Sequence, residues 1–189
     1  MLRRAFLLFC ILTLTQTVAR ASEADLERLD SYVARRSQYV AAKQRHIDAL
    51  VARLHRARTD EERLRAYNRL FEAYYTFRFD SAMVYVKRGL QLAERANNAV
   101  FIDNFRIHRG LLLATGGYYS QALAELQRVN AETLHPSLRL NYYYSMAWLY
   151  NFWAAYCNDH EFAPQLARLR LHYLRQAISY APRGSAMYN

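Results

Sequence analysis

The amino-acid sequence predicts an all-α protein: a right-handed α-solenoid of helical hairpins with about seven helices, preceded by a signal peptide. Composition is the first reason, because 53% of the residues are hydrophobic while only five are glycine and three are proline, as in folded, helix-rich chains. The second reason is that apolar residues recur three and four positions apart along most of the chain. The third is that brief breaks at Gly, Pro or Asn separate these runs.

Residues 1–21 are predicted to be a signal peptide. Two arginines precede an uncharged stretch from Ala5 to Val18, and the small-x-small sequence Ala19-Arg20-Ala21 follows. The stretch is too short to span a bilayer as a helix. We therefore expect cleavage after Ala21 and a secreted or periplasmic protein. An uncleaved signal anchor and a first core helix are the alternatives, and membrane association is expected only if the signal is uncleaved or the chain is a fragment.

Residues 22–58 are predicted to form one long basic N-terminal helix, since neither Gly nor Pro interrupts them. Apolar residues recur every seven positions there, which is typical of a coiled-coil seam and allows a homodimer through this helix. Packing of the seam on the next helix of the same chain is the favoured alternative, because Arg36 and Lys43 fall on its second row. The seven-residue series is Leu26, Val33, Val40, Ile47 and Leu54.

Residues 59–182 are predicted to form the helical hairpins. Thr59 with Glu62 three residues later has the pattern of a capping box, in which the two side chains satisfy free backbone N–H groups. The next helix runs out near Phe77, and Asp80 or Ser81 is expected to cap its successor. Asn97-Asn98 and Gly116-Gly117 are expected to end the third and fourth helices.

The last three helices are a short one, a Tyr-rich one and a basic one. Pro136 separates the fifth from the sixth, and the sixth, from about Ser137 to Tyr156, is crowded with aromatic residues and is expected to be buried on two sides. Pro164 is expected to begin the seventh helix, which runs to Ala181. Residues 183–189 are expected to be a loose tail.

Small residues recur in these helices in a way that resembles the tetratricopeptide repeat (TPR). The best copy runs from Arg109-Gly110 through Gly117-x-Tyr119-x-x-Ala122, and weaker copies precede and follow it. Ala82 and Ala122 lie 40 residues apart, against roughly 34 in regular TPR arrays, so the repeats are TPR-like and irregular. The resemblance implies that these residues pack the repeats together: Ala82, Gly89, Gly110, Tyr119, Ala122, Ala147, Tyr150 and Ala177.

The order of segments is also similar to the exported N-terminal part of a bacterial family of TPR-containing, membrane-anchored regulators of unknown function. The signature consists of Leu29-Asp30-Ser31-Tyr32-Val33, Ile47-Asp48-Ala49-Leu50, Leu70-Phe71-Glu72-Ala73-Tyr74 and Phe79-Asp80-Ser81-Ala82. Members of that family continue to a transmembrane helix and a cytoplasmic DNA-binding or regulatory end, which this sequence does not contain. We therefore expect a fragment, a truncated paralogue or a degenerate copy.

No catalytic residue, metal site or cofactor is predicted. The densest group of candidate metal ligands, Asp159-His160-Glu161, lies in a loop with no Cys or His at zinc spacing nearby. Nucleophile motifs and phosphate-binding glycine loops are absent from the sequence. After cleavage Cys157 is the one remaining cysteine, so the helical core rather than an intramolecular disulfide must hold the fold.

The sequence therefore predicts a protein-binding scaffold whose partner is a protein or peptide. Arg35, Arg36, Lys43, Arg45, Arg53, Arg56 and Arg58 could contact nucleic acid or anionic lipid, but a solvated helix face is favoured, and export disfavours nucleic acid. A sensory input domain for a transcriptional regulator is the second hypothesis and rests on the resemblance alone. Tyrosines on the second and sixth helices are candidates for a binding groove, although core packing is favoured for the Tyr-rich sixth helix: Tyr67, Tyr74, Tyr143 and Tyr150.

Overall fold

The structure is a computed structural model that describes residues 23–157 and 159–182. Within these ranges the chain is helical and contains no β-strand, so the predicted all-α class is confirmed. The signal peptide and the C-terminal tail that the sequence predicts lie outside the described residues. The helices are α1 (Arg36–Arg56), α2 (Asp60–Tyr75), α3 (Phe79–Arg95), α4 (Ala99–Thr115), α5 (Tyr119–Leu126), α6 (Pro136–Cys157) and α7 (Ala163–Tyr180).

The chain divides into two compact units, residues 1–46 and residues 47–189. In the first unit, residues 23–34 are helical, and a turn at Arg35 separates them from α1. The prediction of one uninterrupted helix is wrong at this point. The Arg35 side chain donates to the Ser31 carbonyl at 3.1 Å, which an α-helix reserves for the backbone N–H of residue 35. That N–H turns instead to the Tyr32 carbonyl at 3.2 Å.

The second unit is built from three helix pairs joined by short connections. The pairs are α2 with α3, α4 with α5, and α6 with α7. The second helix of one pair also packs against the first helix of the next, as α3 does on α4 and α5 does on α6. The first helices lie side by side as well, since α4 contacts both α2 and α6. This arrangement confirms the predicted solenoid of TPR-like hairpins.

The helix boundaries follow from local chemistry. The Thr59 hydroxyl accepts a hydrogen bond from the Glu62 N–H at 3.2 Å, and the Glu62 carboxylate accepts one in return from the Thr59 N–H, so the predicted capping box is confirmed. Bonds from the Arg58 and Thr59 backbone also lower the pKa of Glu62. Asn97 has φ of 49° and Gly117 has φ of 83°, and these left-handed residues follow the ends of α3 and α4 as predicted.

The predicted cap of α3 at Asp80 or Ser81 is wrong. The helix begins at Phe79 with Arg78 as its N-cap residue, and no side chain caps it. Phe79 is half-buried and packs against the core. This apolar contact places the first residue of the helix before Asp80 and Ser81, the two predicted caps.

Two adjoining clusters of buried side chains form the core. The first joins the end of α1 to α2, α3 and α4, and includes Ile47, Leu70 and Phe105. The second joins α4, α5 and α6 with contributions from α7, and includes Leu126 and Leu149. Ile47 and Leu50 are buried against the following helices of the same chain, which supports the intramolecular packing that the sequence favoured for this part of the first helix.

Small residues lie where paired helices approach most closely. Ala82, Ala122 and Ala177 are fully buried. A Cβ added to Gly89 would overlap the ring of Phe105, and one added to Gly110 would lie 2.5 Å from Cγ of Leu126. A larger residue would therefore force these helices apart.

Replacing Gly110 tests this close approach. We expect Gly110→Ala to lower the free energy of unfolding by about 1–3 kcal/mol, because the new methyl group overlaps Leu126. In a Leu126→Ala background the same change is expected to raise stability by about 1 kcal/mol, since alanine favours a helix more than glycine does. Urea unfolding followed by circular dichroism measures both values.

Gly117→Ala is the matched control for the comparison of Gly110→Ala in the two backgrounds. Gly117 has positive φ and nothing lies within 4 Å of an added Cβ, so its cost comes from backbone strain alone. This cost should be the same in the unaltered chain and in the Leu126→Ala background. An equal loss from Gly110→Ala in both backgrounds would contradict the steric explanation.

Candidate binding face

The four tyrosines that are candidates for a binding groove lie in two different hairpins. Tyr67 and Tyr74 lie on α2 and pack toward Tyr85 of α3, with ring centroids 6.3 Å and 5.5 Å away. Both contacts are within the first hairpin. Tyr74 is buried and Tyr67 half-buried, so this pair contributes to the hairpin's interior.

The other two tyrosines pack within the third hairpin. Tyr150 stacks on Tyr173 of α7 at 5.6 Å, and Tyr143 stacks on Tyr180 at 5.5 Å with nearly parallel rings. Burial, together with the neighbouring Tyr173 and Tyr143, raises the pKa of Tyr142 to about 12. Tyr143 and Tyr150 therefore join α6 to α7, which is the core packing that the sequence favoured for this helix.

The predicted repeat-packing residues are shielded from solvent. Seven of the eight are buried, and Tyr119 is half-buried, with its ring stacked on Trp153 of α6 at 5.7 Å.

A polar network joins α2 to α4 where the first helices lie side by side. The Asn104 amide donates to Oδ1 of Asn68 at 2.6 Å, and Nε2 of His108 lies 2.9 Å from the same oxygen. The Asn68 amide donates in turn to Glu72 at 2.8 Å. Because an amide oxygen only accepts hydrogen bonds, Nε2 of His108 carries the proton. We call these four residues the inner network.

His108 is held neutral by its surroundings. Its ring stacks on Phe71 with centroids 4.3 Å apart, and burial lowers its pKa from 6.5 to about 4. A neutral imidazole can donate through one nitrogen and accept through the other. Since Nε2 already donates to Asn68, the ring could meet a ligand as an acceptor through Nδ1, close to the exposed carboxylate of Glu72.

Aromatic side chains of α2 and α6 flank the inner network. Burial raises the pKa of Tyr75, and the Tyr144 hydroxyl adds to that rise, which places these two hydroxyls within electrostatic reach of each other. Trp148 packs edge-on against Tyr144 at 5.8 Å. We call the surface formed by Glu72, Tyr75, His108, Tyr144 and Trp148 the first-helix face.

The inner network was not predicted from the sequence, although a signal for it exists. Asn68 and His108 are separated by 40 residues, which is the spacing of the paired alanines Ala82 and Ala122. Polar residues recurring at the repeat period on a first helix would have predicted a contact between neighbouring repeats.

A second concave region is lined by arginines. Arg53 and Arg56 of α1, with Arg65 and Arg69 of α2, surround a pocket of about 350 Å³. Arg65 is paired with Glu61, and Glu62 at the rim is held by the cap of α2. The pocket therefore keeps an excess of positive charge.

A third concave region lies between α6 and α7. This pocket of about 320 Å³ is lined mainly by apolar and aromatic side chains. Arg170 donates to Asn151 at 3.0 Å within it, while its Nε is buried with no hydrogen-bond partner. The lining residues are Tyr144, Ala147, Trp148, Asn151, Arg170 and Leu174.

The acidic loop before α7 has a structural role. Asp159 accepts hydrogen bonds from the backbone of Glu161 at 2.8 Å and Phe162 at 2.6 Å, and the bonds lower its pKa. This carboxylate thus organises the turn into α7. Among residues 23–157 and 159–182, no three His, Cys, Asp or Glu residues are grouped so that they could hold a metal ion.

None of the helices in the described part of the chain is long and apolar enough to cross a membrane.

Comparison with known proteins gives one family. A family model described as "SusR N-terminal TPR domain" matches residues 33–189, which is most of the chain. No curated protein and no solved structure matches.

The depressed pKa of His108 predicts a pH-dependent stability. Between pH 6.5 and about 4, His108 takes up a proton in the unfolded chain but not in the folded chain. The free energy of unfolding should therefore fall as the pH falls through this window. The slope from this group is at most about 1.4 kcal/mol per pH unit. His108→Phe, which keeps the ring stacking, should flatten that slope in urea titrations.

The matched control is His55→Phe on the exposed side of α1, which should leave the slope unchanged. Asp103 also has a pKa that burial raises. Because Asp103 is present in the unaltered chain and in both variants, its contribution to the slope is the same in all three proteins. An undiminished slope in His108→Phe would show that other groups produce the pH dependence.

Proposed function

Because the chain belongs to the family of SusR N-terminal TPR domains, we propose that it is a non-catalytic periplasmic scaffold that binds a peptide or protein segment on its first-helix face. The inner network carries this proposal. Its amides and its carboxylate are the groups that a peptide backbone recognises, and Tyr75, Tyr144 and Trp148 offer contact area beside them. The periplasmic location rests on the predicted signal peptide in residues 1–21.

The chemistry of the face supports binding rather than catalysis. A general base needs a titratable group near its working pH, and burial of His108 keeps its pKa well below that range. The neutral ring and the amides can still orient a ligand through directed hydrogen bonds. An extended segment lying across α2, α4 and α6 would meet Glu72, His108 and Tyr144 in turn.

The second candidate function is a sensory input domain of a membrane-anchored transcriptional regulator. The family description favours it, because it names an N-terminal domain and so points to further parts of such a protein. Under this proposal, ligand binding on the same face would be passed to a longer homologous chain or a partner. The gene neighbourhood discriminates, since an adjacent membrane helix with an intracellular output domain is expected.

Binding on the first-helix face is tested by capture from an envelope extract with residues 22–189 as bait. We expect Glu72→Ala and Tyr144→Ala each to weaken the affinity for the captured protein about tenfold, the loss of roughly 1.4 kcal/mol typical of a contact central to an interface. Calorimetry with the purified partner measures that change. Tyr150→Ala is unsuitable, because this side chain is buried against α7 and its loss would destabilise the fold.

Tyr118→Ala is the control, since Tyr118 is 51% exposed and lies in the turn before α5 rather than on this face. It should leave the affinity unchanged. The capture of background proteins alone, combined with a monomer in light scattering, would contradict a protein-binding role.

A further inference from the structure

The pocket between α6 and α7 has the position of a helix-docking groove. In the first two hairpins, the second helix supports the first helix of the following hairpin, with Phe105 of α4 seated on Gly89 and Trp153 of α6 stacked on Tyr119. Among the helices described, α7 packs only against α6. The third hairpin thus presents the kind of surface that holds a helix in the first two.

The chemistry of this groove specifies its occupant. Tyr144, Trp148 and Leu174 give it an apolar floor. Neither α6 nor α7 contains Asp or Glu, so both helices carry a net positive charge. An amphipathic helix with acidic residues beside its apolar stripe would complement the groove. The arginines of the two helices are Arg139, Arg168, Arg170 and Arg175.

The chain itself carries such a helix in residues 23–34. Leu26, Leu29 and Val33 recur at helical spacing and are 58%, 55% and 62% exposed. Four acids accompany Arg28 in this segment, so its net charge is negative; they are Glu23, Asp25, Glu27 and Asp30. A helix of this length is marginal in water without a partner surface. Contact of its exposed apolar stripe with another apolar surface would therefore stabilise this helix.

We infer that residues 23–34 of one copy dock in the α6–α7 groove of a second copy. The acids then face the arginines of α7, and the apolar stripe covers Trp148 and Leu174. This interaction goes beyond the proposed function. Because Tyr144 and Trp148 belong both to the groove and to the first-helix face, a docked segment would compete with a ligand at that end of the face. Reciprocal exchange gives a closed two-fold dimer, whereas one-sided docking would give open chains.

The rival pairing is a coiled coil between two copies of the N-terminal helices. The heptad seam would bring Arg36 and Lys43 of one chain close to their counterparts in the other, which costs stability. α1 itself is a poor occupant of the groove, because its basic side chains would meet those of α7. Charge thus favours residues 23–34 in the groove of another copy over both alternatives.

The test uses residues 22–189 in sedimentation equilibrium over about 1–100 µM, a range that brackets micromolar affinity. We expect a concentration-dependent dimer that weakens as salt is added. The segment variant carries Glu23→Lys, Asp25→Lys and Glu27→Lys. The groove variant carries Arg170→Glu at the pocket lining, together with Arg168→Glu and Arg175→Glu elsewhere on α7. Each variant alone brings like charges together and should lose at least about tenfold in association constant.

Mixing the two variants provides the decisive measurement. The reversed segment of one then meets the reversed groove of the other, and the unreversed segment meets the unreversed groove, so a mixed dimer should recover to within about threefold of the original association constant. Arg88→Glu with Arg95→Glu on α3 is the control for a general charge effect, and should leave dimerisation unchanged.

Several results would overturn the inference. These are a monomer at every concentration of the unaltered chain, dimers of both variants as strong as the original, or folded variants that fail to recover on mixing. Loss of the dimer on Val40→Asp with no effect of the groove variant would establish the coiled coil instead. If the groove variant does not fold, Leu26→Asp with Leu29→Asp replaces it, since both leucines are exposed, and a dimer that survives this change likewise contradicts the inference.

Discussion

The fold depends on how closely the two helices of a pair, and of neighbouring pairs, can approach each other. Gly89 leaves room for the Phe105 ring, and Gly110 leaves room for Leu126. The contact of Gly89 with Phe105 brings the second helix of one hairpin against the first helix of the next. The contact of Gly110 with Leu126 holds together the two helices of one hairpin. The side-by-side array of α2, α4 and α6 follows from them. Without the small residues, the inner network could not form between Asn68 and His108.

The inner network gives this array a fixed register. An apolar contact tolerates sliding by a fraction of a turn, but hydrogen bonds from Asn104 and His108 to one oxygen of Asn68 do not. Buried polar groups left without partners would cost about 1–3 kcal/mol each, so slipped arrangements of α2 on α4 are disfavoured. The polar groups that set this register also give the first-helix face its hydrogen-bonding capacity.

Features with local causes could be predicted from the sequence, and features with distant causes could not. The cap at Thr59 and the left-handed ends at Asn97 and Gly117 depend on neighbouring residues, and they were predicted in the right places. The turn at Arg35 was missed because it arises from one side chain competing for the Ser31 carbonyl, which heptad spacing does not report. The aromatic content of α6 predicted burial on two sides, yet spacing alone did not reveal that Tyr143 and Tyr150 stack on α7.

The aromatic surface of α6 has a consequence for the making of the protein. Its rings point to several sides, so no polar stripe can face water when the helix is on its own. α7 follows α6 in the chain and is the last of the described helices. Until α7 has packed, the tyrosines that later stack on Tyr173 are bare. We expect a chaperone to be needed while this aromatic helix is uncovered. A chain that ended before α7 would leave α6 uncovered and would aggregate.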